Sequence, residues 1–205
     1  MTSTPVFDLT SWPREIDAVL KRTENPRHRA LLLNMREHLL LELSGKWREV
    51  LVPRLMVEEP AFHLALPESR WHVNGMQAVT DFYHNLWDSD PSRSAATTIV
   101  HETEPGYELA VNDWRIMGAS LVANQRWGHE LADSRHRNEV EPNGMYLETY
   151  HMVYIFEYGA GNLLTGENTF SGGDSFLYEI AKEDIVTPQD AADALASYLG
   201  NPPAS

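Results

Sequence analysis

The 205-residue chain contains no cysteine. Disulfides, iron–sulfur clusters, thiolate zinc sites and a cysteine nucleophile are thereby excluded. Basic residues are scarce: 16 Lys and Arg stand against 30 Asp and Glu, a net charge of −14. They are scattered rather than striped. Nucleic acid and anionic membrane are therefore not expected partners, because binding either one means neutralising phosphates. No run approaches the roughly 18 apolar residues of a membrane span. The N-terminal MTSTPVFDLTSWPREID has no basic region followed by an apolar run, so no secretory leader is read there. The cytoplasm is the expected location. Repeats, low-complexity tracts, a glycine-rich phosphate loop, a dinucleotide fingerprint and metal-ligand spacing are missing too. Glu148 and His151 lie three apart on a strand pattern and so face opposite sides. No metal and no cofactor are expected.

What is present falls into helices first and strands after. Ser11 can cap a short helix reaching about Glu24, with Pro13 in its first turn. Asn25–Pro26 starts a second helix, PRHRALLLNMREHLLLEL, which stops at Ser44–Gly45. Leu32, Met35, Leu39 and Leu43 form its apolar stripe, widened by Leu31 and Leu40. KWREVLVPRLM reads as a third helix, bent or ended near Pro53, and PAFHLAL as a strand. Asn74 with Gln77 gives a capping box for GMQAVTDFYHNLW, whose buried face is Met76, Val79, Phe82, Tyr83 and Leu86. Period-two strand patterns follow in ATTIVHETE, YELAV, RIMGASLVANQRW, MYLETYHMVYIFEY and NLLTGENTF. Residues 128–144 are polar and turn-rich, which predicts a surface loop with a solvated His136. Thr187–Pro188 opens a last helix. The order predicts an α+β domain of one curved sheet with helices on one face.

This order of parts resembles the nuclear transport factor 2-like superfamily, in its SnoaL-like polyketide cyclase and ketosteroid isomerase branch. The stretches that carry the resemblance are LLLELSGKWREVLVPRLMVEEPAFHL, GMQAVTDFYHNLW and FEYGAGNLLTGENTF. It covers about residues 26–186. Residues 1–25 are then an N-terminal arm and helix, and 187–205 a C-terminal helix and tail. The resemblance implies a cone: a curved antiparallel sheet wrapped around helices, enclosing a deep, mostly apolar pocket. In that branch the pocket serves cofactor-free enzymes that move protons, and also non-catalytic binding proteins.

Proton chemistry without a cofactor needs a base or acid with a tuned pKa and a donor for the developing oxyanion. His38 lies seven residues before Gly45, where the resemblance places the oxyanion-hole residue. Tyr83 would touch it from the following helix. Counting back from the YGAGN hairpin puts His151 on the pocket face of its strand, and Asn168 and Phe170 inward with Glu167 outward. One of His38 and His151 would move the proton, Tyr83 would orient or donate, and Asn168 would hold an oxygen. His63 and His101 lie on strands that line the cone in the resembling proteins. Gly118 and Ser120 are small and would leave room for a bulky ligand.

The expected function is a lyase or isomerase independent of cofactors. It would act by dehydration, retro-aldol cleavage, isomerisation or cyclisation on a mid-sized, mostly apolar small molecule, aromatic or polycyclic. An epoxide hydrolase and a non-catalytic binding or assembly protein are the alternatives; an open pocket with two or more polar side chains favours an enzyme, a filled cone the latter. Tyr150, Met152 and Tyr154, on the other face of the His151 strand, would be too apolar to leave wet and predict a homodimer through the sheet. Residues 128–144 are expected at the cone mouth as a lid.

Overall fold

Asn25 accepts hydrogen bonds from the backbone of Arg27 and His28, and Pro26 occupies the first turn, so the longest helix starts where its cap dictates. The structure, a computed structural model, describes residues 8–67, 69–88 and 109–200 and the backbone of 99–103. Its helices are α1 (Ser11–Arg22), α2 (Pro26–Leu43), α3 (Met76–Trp87) and α4 (Pro188–Leu195). Gly45 ends α2 at φ 74°, the left-handed conformation expected of it. α2 is buried on most sides from Leu31 onward. Leu41, Arg36 and His38 are buried along with the stripe, so it runs through the interior rather than over it.

The strands are β1 (Met56–Ala65), β2 (Arg70–Asn74), β3 (Ile99–Thr103), β4 (Ala110–Val111), β5 (Arg115–Trp127), β6 (Met145–Tyr158), β7 (Leu164–Ser171) and β8 (Phe176–Glu179). They form one curved sheet ordered β2-β1-β7-β6-β5-β3, with β4 on β5 and β8 on β6. The α+β cone is as expected, but the sheet is mixed: β1 pairs with β7 in parallel. The direction of that pairing is not local information, because nearly half of the chain separates the two strands.

Three local expectations are corrected. KWREVLVPRLM is no helix: a single 3-10 turn at Trp47–Glu49 is followed by turns into β1, since Pro53 denies the segment a second helical turn. Residues 70–74 form β2, so Asn74 is a strand end, and Gly75, at φ 84°, occupies the N-cap of α3 without a side-chain cap. His136 is buried, with its Nε2 3.0 Å from Ser175 Oγ. The 128–144 segment begins as a 3-10 turn and is anchored by this contact, by Arg135 to Gly173 O and by buried Leu131.

Trp12, Ile16, Val19 and Leu20 of α1 and Leu195 of α4 join the same hydrophobic core as α2 and the sheet. Buried Arg36 ties them together. Its guanidinium grips the Asp17 carboxylate at 2.5 and 3.2 Å and donates to Tyr198 O. Among the described residues no helix is long and apolar enough to cross a membrane.

Candidate active site

The inner face of the sheet is decided by β6. Tyr150, Met152, Tyr154 and Phe156 are buried inward, while His151 is exposed and Val153 is 48% exposed. The hairpin count therefore lands on the wrong parity. For β7 the cause is visible in its pairing with β6. Glu157 faces Gly166 but Tyr158 faces Leu164, so Thr165 is an extra residue that shifts the register. On β7 the shift turns Glu167 and Thr169 to the cavity, and leaves Phe170 48% exposed. Asn168 sits on the outer face, its Oδ1 3.1 Å from Nδ1 of exposed His63. His151, Asn168, His63 and Phe170 are thus not pocket residues. The same parity places Tyr150, Met152 and Tyr154 in the core, which removes them as a dimer surface. The side chain of His101 lies outside the described residues; its backbone pairs with Val122.

A cavity of about 390 Å³ lies between α2, α3 and the sheet. The cone is open, not plugged. Leu39, Leu64, Phe82 and Val122 supply apolar wall. Gly118 does not enlarge it: a Cβ there would sit 2.4 Å from the Tyr154 hydroxyl, so the missing side chain is the space Tyr154 fills. Ser120 is fully buried beside Met152 in the β5–β6 pairing and does not line the cavity. Tyr154 is held in turn by Trp12, whose indole N–H donates to its hydroxyl at 3.3 Å.

The structure brings His38 and Tyr83 together. His38 is fully buried, and its Nε2 lies 3.1 Å from the Tyr83 hydroxyl. Tyr83 is pinned by stacking on Trp47, ring centres 5.8 Å apart, and by the edge of Phe62. Its hydroxyl also reaches Glu42 Oε2 at 3.4 Å, as does His38 Nε2. A carboxylate is the stronger acceptor for the one tyrosine proton. The consistent arrangement has His38 Nε2–H donating to Tyr83, and Tyr83 donating to Glu42. His38 Nδ1 then bears the lone pair, and it has no partner among the described residues. Burial, then the charges of Glu42 and Glu167, push the Tyr83 hydroxyl well above the ordinary tyrosine range, so it is a neutral donor.

Glu167 completes the group. It is half-buried on the cavity wall, and desolvation, then the negative charge of Glu42, raise its carboxyl from 4.5 to about 8. A proton-bearing carboxyl, a second carboxylate and a neutral phenol thus share one end of an apolar cavity. Sequence reasoning missed both acids. Glu42 was within reach, since it follows His38 by one helical turn on a face that also carries Leu39. Glu167 was hidden by the bulge. At the other end Asn124, Gln125, Arg126 and Glu130 line the cavity, so the 128–144 segment does begin at its rim.

No family model and no curated protein matches the sequence. Among solved structures, a candidate SnoaL-like polyketide cyclase from Jannaschia sp. CCS1 superposes with a TM-score of 0.51 over 73% of this chain and 90% of its own, at 14% identity. The chain has the nuclear transport factor 2-like fold. An NTF2-like protein from Anabaena variabilis ATCC 29413 (TM-score 0.47, 8% identity, 74% and 95% of the two chains) is also similar to this chain. So is a Δ5-3-ketosteroid isomerase from Mycobacterium sp. (0.49, 12%, 73% and 98%).

Proposed function

We propose that this NTF2-like protein is a cofactor-independent lyase or isomerase that moves a proton on a mid-sized, mostly apolar, aromatic or polycyclic small molecule. The observation that carries the reading is Glu167, a carboxyl that keeps its proton to about pH 8 inside an open cavity shared with Glu42 and Tyr83. Glu42, charged, is the base that takes a proton from carbon. Glu167, protonated, gives one to the oxygen on which charge develops, either an enolising carbonyl or a departing hydroxyl. Two carboxyls with opposite protonation are what acid–base catalysis at neutral pH requires. Tyr83 holds the Glu42 carboxylate, and His38 holds Tyr83. Dehydration, retro-aldol cleavage, isomerisation and cyclisation all begin with this transfer.

The test is hydrogen exchange. A panel of polycyclic ketones incubated with the protein in D2O should gain deuterium next to the carbonyl. Glu167→Gln should slow this about 100-fold or more, the usual worth of a placed acid or base. Full exchange by Glu167→Gln overturns the assignment.

The carboxyl pair also favours a second reading, hydrolysis of an epoxide. Glu167 would protonate the oxirane oxygen while Glu42 takes a proton from the attacking water. Oxygen-18 from water in a diol product, without deuterium at carbon, would select it.

We also propose a homodimer through the outer sheet face. Two neighbouring rungs there, Ala119–Val153–Phe170–Ala65 and Met117–Ile155–Asn168–His63–His72, carry no charge across the sheet. Arg70 and the Arg115–Glu157 pair bound them. An uncharged centre with a charged rim is the composition of a protein interface.

A further inference from the structure

The cavity has a second polar end. On β6, Phe156 packs its edge on His38 at the acid end, ring centres 5.6 Å apart. Tyr150 lines the cavity six residues away along the same inner face, about 20 Å of strand. Met152 and Tyr154 fill the wall between them. At the Tyr150 end, Asn124 Nδ2 donates to the Tyr150 hydroxyl at 2.9 Å. Burial raises Tyr150 to about 12, so its own proton stays in place.

One hydrogen bond leaves this pair with unspent donors, the Tyr150 O–H and the second amide N–H, and an unspent acceptor. The Tyr150 O–H is not used by the Asn124 contact. Asn124 Oδ1 is buried and has no partner among the described residues. Exchanging the two ends of the amide changes which residue supplies which, not the sum. A hydroxyl satisfies both at once, accepting from one and donating to the other. A carbonyl oxygen would leave the acceptor unpaired. A carboxylate or phosphate is disfavoured by the local charge. Arg126 at this end already pairs with Glu148 at 3.1 Å, and the Glu130 carboxylate stands beside it on the cavity wall. Glu148 is buried and also accepts from Ser175.

We propose that Asn124 and Tyr150 form an anchoring subsite for an uncharged hydroxyl group. The substrate is then a rigid apolar body with one oxygen function at the proton-transfer end and an alcohol or phenol at the other. This rests on the proton-transfer reading above, but its test is equilibrium binding, not turnover. The two can therefore fail separately. A protein that binds as follows yet exchanges normally as Glu167→Gln refutes only the catalytic assignment.

The probes are 17β-estradiol, with a hydroxyl at each end, and estra-1,3,5(10)-trien-3-ol, with one, titrated by calorimetry. The wild type should bind the diol about tenfold more tightly or better, the value of an added hydrogen bond to a prepared site. In Tyr150→Phe and in Asn124→Leu that advantage should fall to within about twofold. Equal affinity for the two probes in the wild type overturns the proposal. So does an advantage kept by both variants, and so does failure of either probe to bind the wild type. Tyr150→Phe removes one oxygen atom and nothing else, which guards against a variant that merely misfolds.

Discussion

A carboxyl that holds its proton to about pH 8 has two measurable consequences at Glu167. The first is kinetic. As general acid it donates only while protonated, so turnover should fall tenfold per pH unit above about 8, and a rate still rising there would refute the role. The second is thermodynamic. In the unfolded chain the group titrates near its ordinary value of 4.5. Between 4.5 and 8 the folded state therefore binds more protons than the unfolded one, and stability declines as pH rises through that window. Glu167→Gln has no such slope. Its unfolding free energy should gain on the wild type from pH 5 to pH 8, by an amount on the order of a few kcal/mol, and parallel curves of stability against pH would contradict the raised value. Tyr83→Phe tests the neighbouring contact. It should lower turnover about tenfold and stability by about 1–2 kcal/mol, since buried His38 Nε2 loses its 3.1 Å partner and keeps only Glu42 Oε2 at 3.4 Å. The Tyr83–His38 contact was anticipated through the family resemblance, while helical spacing by itself placed Tyr83 on the buried side of its helix. Glu167 was not anticipated, because one bulged residue at Thr165 changes the face of every side chain beyond it.

At the scale of elements, β5 and β7 each carry a glycine where a neighbouring strand leaves no room for a side chain. At Gly166 a Cβ would lie 2.5 Å from the backbone oxygen of Ala61, across the parallel β1–β7 seam. Backbone cannot rotate away, so Gly166→Ala should cost roughly 3 kcal/mol, the upper part of the overpacking range. At Gly118 the obstacle is the Tyr154 ring, which can move. Gly118→Ala should cost less, roughly 1–2 kcal/mol, and push Tyr154 toward the cavity, weakening estradiol binding. Thermal melts of the two variants check the order, and the reverse order would contradict the packing described. The bounds of β5 and β6 were readable as long alternating runs. β2 and β8 were not, because they are only five and four residues long, and β8 owes its pairing to β6, with β7 between them in the chain.

At the scale of the molecule, the same alternation that buries Tyr150, Met152 and Tyr154 exposes Val153 and Phe170, each 48%, on adjacent strands. Light scattering at micromolar concentration should give twice the chain mass. Val153→Lys, at the centre of the uncharged rungs, should give a monomer, because a buried unpaired charge is repeated by the symmetry of the interface. A wild-type monomer would refute the interface.

The sequence by itself determined the absence of thiolate chemistry, the acidic balance of charge, the helix caps at Asn25 and Thr187, and the succession of helices and strands that marks an α+β domain. These depend on residue identity and on neighbours a few positions away, which composition and periodicity record. Tertiary structure alone decided which face of β6 and β7 looks inward, and that Glu42 on a helix and Glu167 on a strand share one cavity. Alternation defines two faces but does not say which is inside. A carboxyl acquires its raised affinity for a proton only from the apolar walls and the second charge that distant parts of the chain bring to it.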